Sequence, residues 1–270
     1  MVGVAIPRGP FVQVSVVTVV KDNAAGLSRT HKSLLEQTYI NWEMIIIVGK
    51  SRDDTLLIAK ELQGKDLRIR VFEQVGTGIY NAMNEGLEFA IGEFTWFMNS
   101  GDKFATLVVL AQAVDEISQS GAGLVVGGYQ IESGSGQQIY SFPSGAITQL
   151  DFAFNRRGGC HQAMIFRTQI LRILHGFDDT YSLAADFDLV MKVIRKSVAK
   201  RVSEVYATIE PGGLADQEIL SVHKQKHEIR RTHLGGGVFT IASGAWTMLA
   251  RMKIITRKVC KTKTQGASHL

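Results

Sequence analysis

The chain has 270 residues, a length that suits one large α/β domain with a full hydrophobic core. Its 45% hydrophobic and 20% charged residues are ordinary values for a soluble globular protein. The two cysteines, Cys160 and Cys260, are far apart in sequence, which argues against a disulfide framework and favours a reducing compartment.

The formal net charge of +5 is spread unevenly along the sequence. From about Lys253 onward the chain carries basic residues and no acidic one, namely Lys253, Arg257, Lys258, Lys261 and Lys263. This asymmetry predicts an anionic surface as the partner of the tail, and no nucleic acid partner is expected. Residues 1–10 lack the apolar core of a signal peptide, and no apolar run reaches about 18 residues. We therefore expect a cytoplasmic chain without a spanning helix.

Apolar strands alternate with helices in the first half of the sequence, which indicates a parallel sheet covered on both faces. The predicted strands are Val14–Val20, Trp42–Val48, Arg68–Phe72 and Phe94–Met98, and the predicted helices are Leu27–Gln37, Thr55–Leu62 and Thr77–Ala90. Polar loops follow Val20, Val48 and Met98, at the carboxyl ends of three strands. Such ends meet at one edge of the sheet, where ligands bind, so a nucleotide site is expected there.

The second half of the sequence is less regular. Gly121–Gly136 is rich in Gly and Ser and predicts a hairpin or loop. The elements expected around and after it are the strands Leu124–Tyr129, Gln138–Phe142, Gln162–Phe166 and Arg201–Ile209 and the amphipathic helix Ala184–Lys196. From about Leu214 the chain is expected to form a helical, basic appendage.

Six short motifs occur in a fixed order over about 200 residues. They are Ser15-Val16-Val17-Thr18 with Asn23, Ser51-x-Asp53-x-Thr55, Gly78-Ile79-Tyr80-x-Ala82-Met83-Asn84-x-Gly86, Asn99-Ser100-Gly101-Asp102, His161-Gln162 and Ala185-Asp186-x-Asp188-Leu189, followed by Gly212-Gly213. In this order they resemble the family 2 glycosyltransferases with the GT-A fold. Within that family, the forms at Gly78 and Asn99 are most similar to enzymes that build exported polysaccharides, such as colanic acid, or glycosylated cell-envelope lipids.

The resemblance implies a domain organisation. Residues 1–213 would form a GT-A domain, with a nucleotide-binding half at about 12–102 and an acceptor half at about 103–213. Residues 214–270 would form a C-terminal helical segment.

The resemblance implies a divalent metal, Mg²⁺ or Mn²⁺, that bridges the diphosphate of a nucleotide sugar. The family holds it with a DxD-like motif, which reads Asn99-Ser100-Gly101-Asp102 in this chain and leaves Asp102 as the direct ligand. Asn99 would hydrogen-bond the ribose or a phosphate, and Gly101 would let the backbone approach the ligand. The alternative is an ordinary turn that caps the following helix.

The donor side implied by the resemblance includes Thr18, Ser51 and Asp53, on loops that hold base and ribose, and Asn84, which faces the same cleft. The family usually has an acidic residue at the position of Val48, where it reads the nucleobase. Because Val48 replaces this acidic residue, the sequence does not distinguish between UDP-, dTDP- and GDP-sugars as donors. Lys50 either meets phosphate or is a solvated loop lysine.

The resemblance assigns the general base to Asp186, at the start of a helix beneath the sugar, where one carboxylate suffices for an inverting displacement. The alternative is an acidic residue favoured by the helix dipole, which also explains Asp188. Asp188 is expected only in a supporting or capping role on the acceptor side. His161 and Gln162 would open a strand there, either in contact with the acceptor or as packing.

The tail from Val238 to Cys260 mixes Trp and aliphatic residues with basic ones. This pattern predicts an interfacial helix on the inner face of the cell membrane, and the alternative is a helix docked on its own domain or on a dimer partner.

The sequence thus predicts an inverting glycosyltransferase that uses a nucleotide-sugar donor and a glycan or lipid-linked acceptor. A catalytically silent homologue that binds nucleotide sugars or glycans is the alternative, motivated by Val48 and by the reduced acidic motif. Retention of both Asp102 and Asp186 argues against it.

Overall fold

A computed structural model of the chain describes residues 13–133, 136–154, 159–213 and 217–235. The chain divides into two compact units, Met1–Pro211 and Gly212–Leu270. The first unit is built on one ten-stranded sheet, and the described part of the second contains one long helix.

The sheet consists of β1 (Val14–Val20), β2 (Trp42–Val48), β3 (Ile69–Glu73), β4 (Phe94–Phe97), β5 (Lys103–Phe104), β6 (Leu124–Ser133), β7 (Gly136–Tyr140), β8 (Gly145–Ala146), β9 (Met164–Arg167) and β10 (Ala199–Ile209). The helices are α1 (Ala24–Leu35), α2 (Thr55–Lys65), α3 (Ile79–Phe89), α4 (Val109–Ser120), α5 (Gln149–Phe154), α6 (Thr168–Ile173), α7 (Ala185–Lys196) and α8 (Ile219–Leu234). A short 3-10 turn, His161–Ala163, precedes β9.

The strand order is β3-β2-β1-β4-β9-β6-β10-β5, with β7 paired to β6 and β8 paired to β10. Strands β1 to β4 are mutually parallel, β9 is antiparallel to both β4 and β6, and β10 is parallel to β6. The strands β1, β2, β3, β4, β6 and β10 therefore share one direction and end at the same edge. The predicted α/β fold with a mostly parallel sheet is confirmed.

The sheet is covered by helices on both faces. Every residue of β1 and of β2 is buried, as expected for apolar strands between two helical layers. On one face, Val16 belongs to a core cluster with Leu27 and Leu34 of α1. On the other face α3 lies against β1 so closely that a β-carbon built at Gly86 would collide with Cγ1 of Val17.

Several boundaries differ from the sequence prediction for local reasons. Helix α1 begins at Ala24 rather than Leu27, because Asn23 caps it by accepting a hydrogen bond from the Gly26 N–H at 3.0 Å. His161 and Gln162 do not open a strand, since they lie in the 3-10 turn and β9 begins only at Met164.

The predicted interfacial helix, Val238 to Cys260, lies outside the described residues. Within the part of the chain that the structure describes, no helix is both long enough and apolar enough to cross a membrane.

Candidate active site

The loops after β1 and β2 are joined at the carboxyl edge of the sheet. The Asp22 N–H donates to Oγ of Ser51 at 3.0 Å, and the Ala24 N–H donates to Oδ2 of Asp53 at 3.3 Å. The Thr55 hydroxyl donates to Oδ1 of Asp53 at 2.5 Å, and this bond is the main cause that lowers the pKa of the Asp53 carboxyl. Ser51 and Asp53 therefore lie together at this edge of the sheet, and the lowered pKa keeps Asp53 ionised at neutral pH.

Thr18 does not lie on a loop, so that part of the prediction is wrong. Strand β1 extends to Val20, and Thr18 is 0% exposed inside it. Its hydroxyl has no hydrogen-bond partner among the described residues. The neighbouring β2 ends with buried Val48, whereas Lys50 is exposed on the loop beyond it.

The side-chain amide of Asn84 is hydrogen-bonded to the backbone and is not turned toward the cleft. Its Nδ2 donates to the carbonyl oxygen of Phe177 at 2.9 Å, and its Oδ1 accepts from the Phe177 N–H at 2.8 Å. The side chain thus fastens α3 to the segment before α7. The expectation that Asn84 faces the donor does not match this geometry, because both ends of its amide are used.

The loop Asn99–Asp102 follows β4 and is hydrogen-bonded to α1 and to the N-cap residue of that helix. The Gly101 N–H donates to Oγ1 of Thr30 at 2.9 Å, and Nδ2 of Asn23 donates to the Ser100 carbonyl at 3.3 Å. Gly101 has φ of 105°, a conformation that glycine adopts without strain. The loop therefore has a fixed shape beside the loop after β1.

Asp102 is buried and hydrogen-bonds to two segments that are distant in sequence. The residue is 5% exposed, its Oδ2 accepts from Nε2 of Gln162 at 2.7 Å, and its Oδ1 accepts from the Glu210 N–H at 2.9 Å. Burial raises the pKa of the Asp102 carboxyl to about 6. This differs from the open metal ligand expected from the sequence, since the carboxylate faces the protein interior.

The sequence analysis did not identify Glu210, which directly follows β10 at the same edge of the sheet. Its Oε1 pairs with the Arg29 guanidinium at 2.6 Å, and about half of each side chain is exposed. A sequence feature could have identified Glu210: it is a polar residue immediately after a predicted strand, as are the residues of the loops after β1, β2 and β4.

Asp186 lies in the first turn of α7 and keeps 22% of its side chain exposed. Its Oδ2 is 3.4 Å from Nδ1 of His161, and the Tyr80 hydroxyl donates to its Oδ1 at 3.4 Å. Nε2 of His161 lies 3.0 Å from Nδ2 of Asn99. Because an amide nitrogen only donates, this imidazole accepts at Nε2 and carries its proton on Nδ1, toward Asp186. Asn99, His161 and Asp186 thus form one connected row.

The other residues expected on the acceptor side are mostly buried. His161 is 9% exposed and Gln162 is 7% exposed, and the carbonyl of Gln162 accepts from Nε1 of Trp96 at 2.8 Å. Asp188 is 3% exposed and pairs with Lys192, one turn later on α7, at 2.6 Å. These three side chains are therefore largely shielded from solvent.

The oxygen ligands at this edge suit a hard divalent cation in kind. Oδ1 of Asn99 is buried without a hydrogen-bond partner in the described chain, and the Glu210 carboxylate is nearby and partly exposed. Among the described residues no group of three or more His, Cys, Asp or Glu side chains is placed to hold a metal. A cation here would therefore need ligand phosphates and water to complete its shell, which is how Mg²⁺ commonly binds.

Comparisons with known proteins show the family of the chain. The sequence profile described as "Glycosyl transferase family 2" matches residues 15–175. An uncharacterised glycosyltransferase of Mycobacterium tuberculosis is 30% identical over 181 residues, which cover 66% of this chain and 68% of that protein. A "PGL/p-HBAD biosynthesis glycosyltransferase" of Mycobacterium bovis is 24% identical over 249 residues, which cover 91% of this chain and 95% of that protein.

Two solved structures are similar in fold. S. aureus TarS in complex with UDP superposes with a TM-score of 0.66 at 19% identity, covering 82% of this chain and 66% of that one. The mannosyltransferase PcManGT from Pyrobaculum calidifontis, in complex with GDP-Man and Mn²⁺, gives a TM-score of 0.67 at 15% identity and covers 97% of this chain and 78% of that one. The GT-A fold expected from the sequence is confirmed by these likenesses.

Proposed function

Because this chain belongs to glycosyl transferase family 2 and is a glycosyltransferase, we propose that it transfers a sugar with inversion from a nucleotide sugar to a glycan or lipid-linked acceptor. We further propose that this reaction serves polysaccharide or cell-envelope glycolipid synthesis. The relative of M. bovis, named for PGL/p-HBAD biosynthesis, supports that setting.

The observation that carries the mechanism is the row from Asn99 through His161 to Asp186. Its two ends serve different needs of a displacement reaction. Asn99 lies on the loop where the nucleotide diphosphate is expected, and Asp186 is a partly exposed carboxylate away from that loop. In the proposed reaction Asp186 accepts the proton of the attacking hydroxyl, and the His161 Nδ1–H orients the carboxylate.

The donor proposal rests on similar structures that hold UDP, UDP-GlcNAc or GDP-Man. A UDP-, dTDP- or GDP-sugar would lie against the loops that carry Ser51, Asp53 and Asn99. A divalent cation, Mg²⁺ or Mn²⁺, would neutralise charge on the leaving diphosphate. Residues 1–213 are proposed as the catalytic domain, and residues 214–270 as a segment that holds the protein peripherally on the inner face of the membrane.

A two-stage experiment tests this function. Thermal shifts with UDP-, dTDP- and GDP-sugars plus Mn²⁺ identify the donor, because a ligand at about 100 times its Kd stabilises by about 2.7 kcal/mol. The donor is then offered with glycan and lipid-linked acceptors, and NMR gives the anomeric configuration of the product. Inversion is expected. Retention contradicts the single displacement, and binding without transfer to any acceptor identifies the silent homologue instead.

A further inference from the structure

The space beside Gly101 is filled by the carboxylate of Glu210. Gly101 has no side chain and has φ of 105°. A β-carbon built on it would collide with Oε2 of Glu210. A carboxylate from the end of β10 therefore stands where the side chain of residue 101 would begin, although the two residues are far apart in sequence.

Glu210 is held in this place by its backbone. Its N–H donates to Oδ1 of Asp102 at 2.9 Å, and Asp102 itself is 5% exposed. The Glu210 side chain, in contrast, is 47% exposed. The buried aspartate thus positions a second carboxylate that solvent and ligands reach.

Two groups near the Glu210 carboxylate, the Arg29 guanidinium and Oδ1 of Asn99, indicate which kind of ligand it binds. Arg29 pairs with Oε1 of Glu210 at 2.6 Å and is 45% exposed, so the pair contributes little to stability. A guanidinium beside a carboxylate suits a phosphate that is bound together with a cation. Oδ1 of Asn99, on the same loop as Gly101, is a buried oxygen without a hydrogen-bond partner in the described residues, and a cation would satisfy it.

We propose that Glu210, and not Asp102, is the protein carboxylate that ligates the divalent cation of the donor diphosphate, with Arg29 as its charge partner on the phosphate side. This rests on the proposed function, because it requires a nucleotide diphosphate at the carboxyl edge of the sheet. Asp102 then acts as a positioning residue, through its hydrogen bond to the Glu210 backbone.

The test measures Mn²⁺ binding to the full chain by EPR, with UDP and with GDP as the nucleotides. Three variants are compared with the wild type: Glu210→Gln, Arg29→Met and, as a control, Glu204→Gln at an exposed position of the same strand. Loss of an outer-shell partner already weakens metal binding by about 10–100-fold, so Glu210→Gln should weaken Mn²⁺ binding by at least about tenfold. Glu204→Gln should leave it unchanged.

Arg29→Met distinguishes a metal-binding role of Glu210 from a role that is limited to its ion pair with Arg29. It breaks the pair but leaves the Glu210 carboxylate, so nucleotide affinity should fall, whereas Mn²⁺ affinity measured at saturating nucleotide should persist. Wild-type Mn²⁺ affinity in Glu210→Gln, or equal losses in Glu210→Gln and Arg29→Met, would overturn the assignment. Nucleotide binding that needs no Mn²⁺ in the wild type overturns it too, but leaves the proposed function intact. A wild type that binds neither nucleotide overturns both.

Discussion

Asp102 and Asp186 are both aspartates in polar motifs, yet the fold gives them different surroundings. Both oxygens of Asp102 accept hydrogen bonds from the protein, and burial raises the pKa of its carboxyl to about 6. Asp186 has 22% of its side chain exposed; its Oδ1 accepts from the Phe187 N–H at 2.8 Å and from the Tyr80 hydroxyl at 3.4 Å, and its Oδ2 lies 3.4 Å from Nδ1 of His161. Of the two carboxylates, that of Asp186 is the more exposed to solvent, which is why the proposed base is Asp186.

Asp186→Asn should lower kcat by about 10²–10⁴-fold, the usual contribution of a general base, because the amide keeps the shape but does not accept a proton. Nucleotide affinity should hardly change, since the side chain acts on the acceptor. Steady-state kinetics with the identified donor measure both quantities. Asp179→Asn, at an exposed position shortly before α7, is the matched control and should behave as wild type. A near-normal kcat in Asp186→Asn, or a loss confined to donor affinity, removes Asp186 from this role.

The partners of Asp102 explain why the sequence did not reveal its burial. They lie 60 and 108 positions away, at Gln162 and Glu210, so no local pattern reports them. Asn99, His161 and Asp186 lie together because β4 ends at the carboxyl edge, whereas β9, which is antiparallel to β4, begins there, and Asp186 in the first turn of α7 contacts His161. The resemblance placed Thr18 on a loop, whereas the apolar run Val14–Val20 predicted it within the strand, where the structure has it.

At the scale of elements, the apolar runs of β1 and β2 were predicted residue for residue, since a run buried on both faces has clear polar limits. The sequence did not predict the shortest elements, because segments of two to six residues show no recognisable periodicity of apolar residues. These are the two-residue strands β5 and β8 and the six-residue helices α5 and α6. Helix α4 was also missed. It starts without a side-chain cap at Val108, so the usual start signal was absent.

The packing of α1 has a consequence for stability at acid pH. His31 on α1 is partly buried, which lowers its pKa below 6.5. Nearby Arg68 and Lys65 add to the lowering of this pKa, whereas Asp66 opposes it. Its Nε2 has no hydrogen-bond partner within the described part of the chain. The unfolded chain takes up a proton near pH 6.5 that the folded chain resists. The contribution of neutral His31 is therefore present above pH 6.5 and lost as pH falls through the folded pKa.

His31→Leu removes this titration, so the variant should lose less stability than the wild type between about pH 7.5 and about pH 5.5. Urea unfolding at both pH values measures the difference. His175→Asn is the control, because His175 is exposed and its φ of 59° is one that Asn tolerates. If His31→Leu and the wild type lose stability equally, the burial of His31 has no bearing on the acid limit of this fold.

At the scale of the whole molecule, we expect the basic tail to bring the enzyme to an anionic membrane surface. A lipid-linked acceptor lies at a membrane surface, and the residues beyond Lys253 carry only positive charge. Each basic residue near an anionic membrane contributes about 1 kcal/mol of binding free energy, so we expect five of them to act as an electrostatic anchor that salt weakens. These charges are known from the sequence, because the tail lies outside the described residues.

The full chain should therefore sediment with vesicles of phosphatidylglycerol and phosphatidylcholine at low salt, and less so at high salt or with phosphatidylcholine alone. Changing the five tail residues Lys253, Arg257, Lys258, Lys261 and Lys263 to Gln should weaken vesicle binding by more than about tenfold. The matched control changes five exposed basic residues of the first unit to Gln, namely Lys32, Lys60, Lys65, Arg195 and Lys196. Binding lost only in the tail variant, with an unchanged melting temperature, supports the membrane anchor. Unchanged sedimentation of the tail variant rejects it, and a lower melting temperature of that variant favours a helix docked on protein.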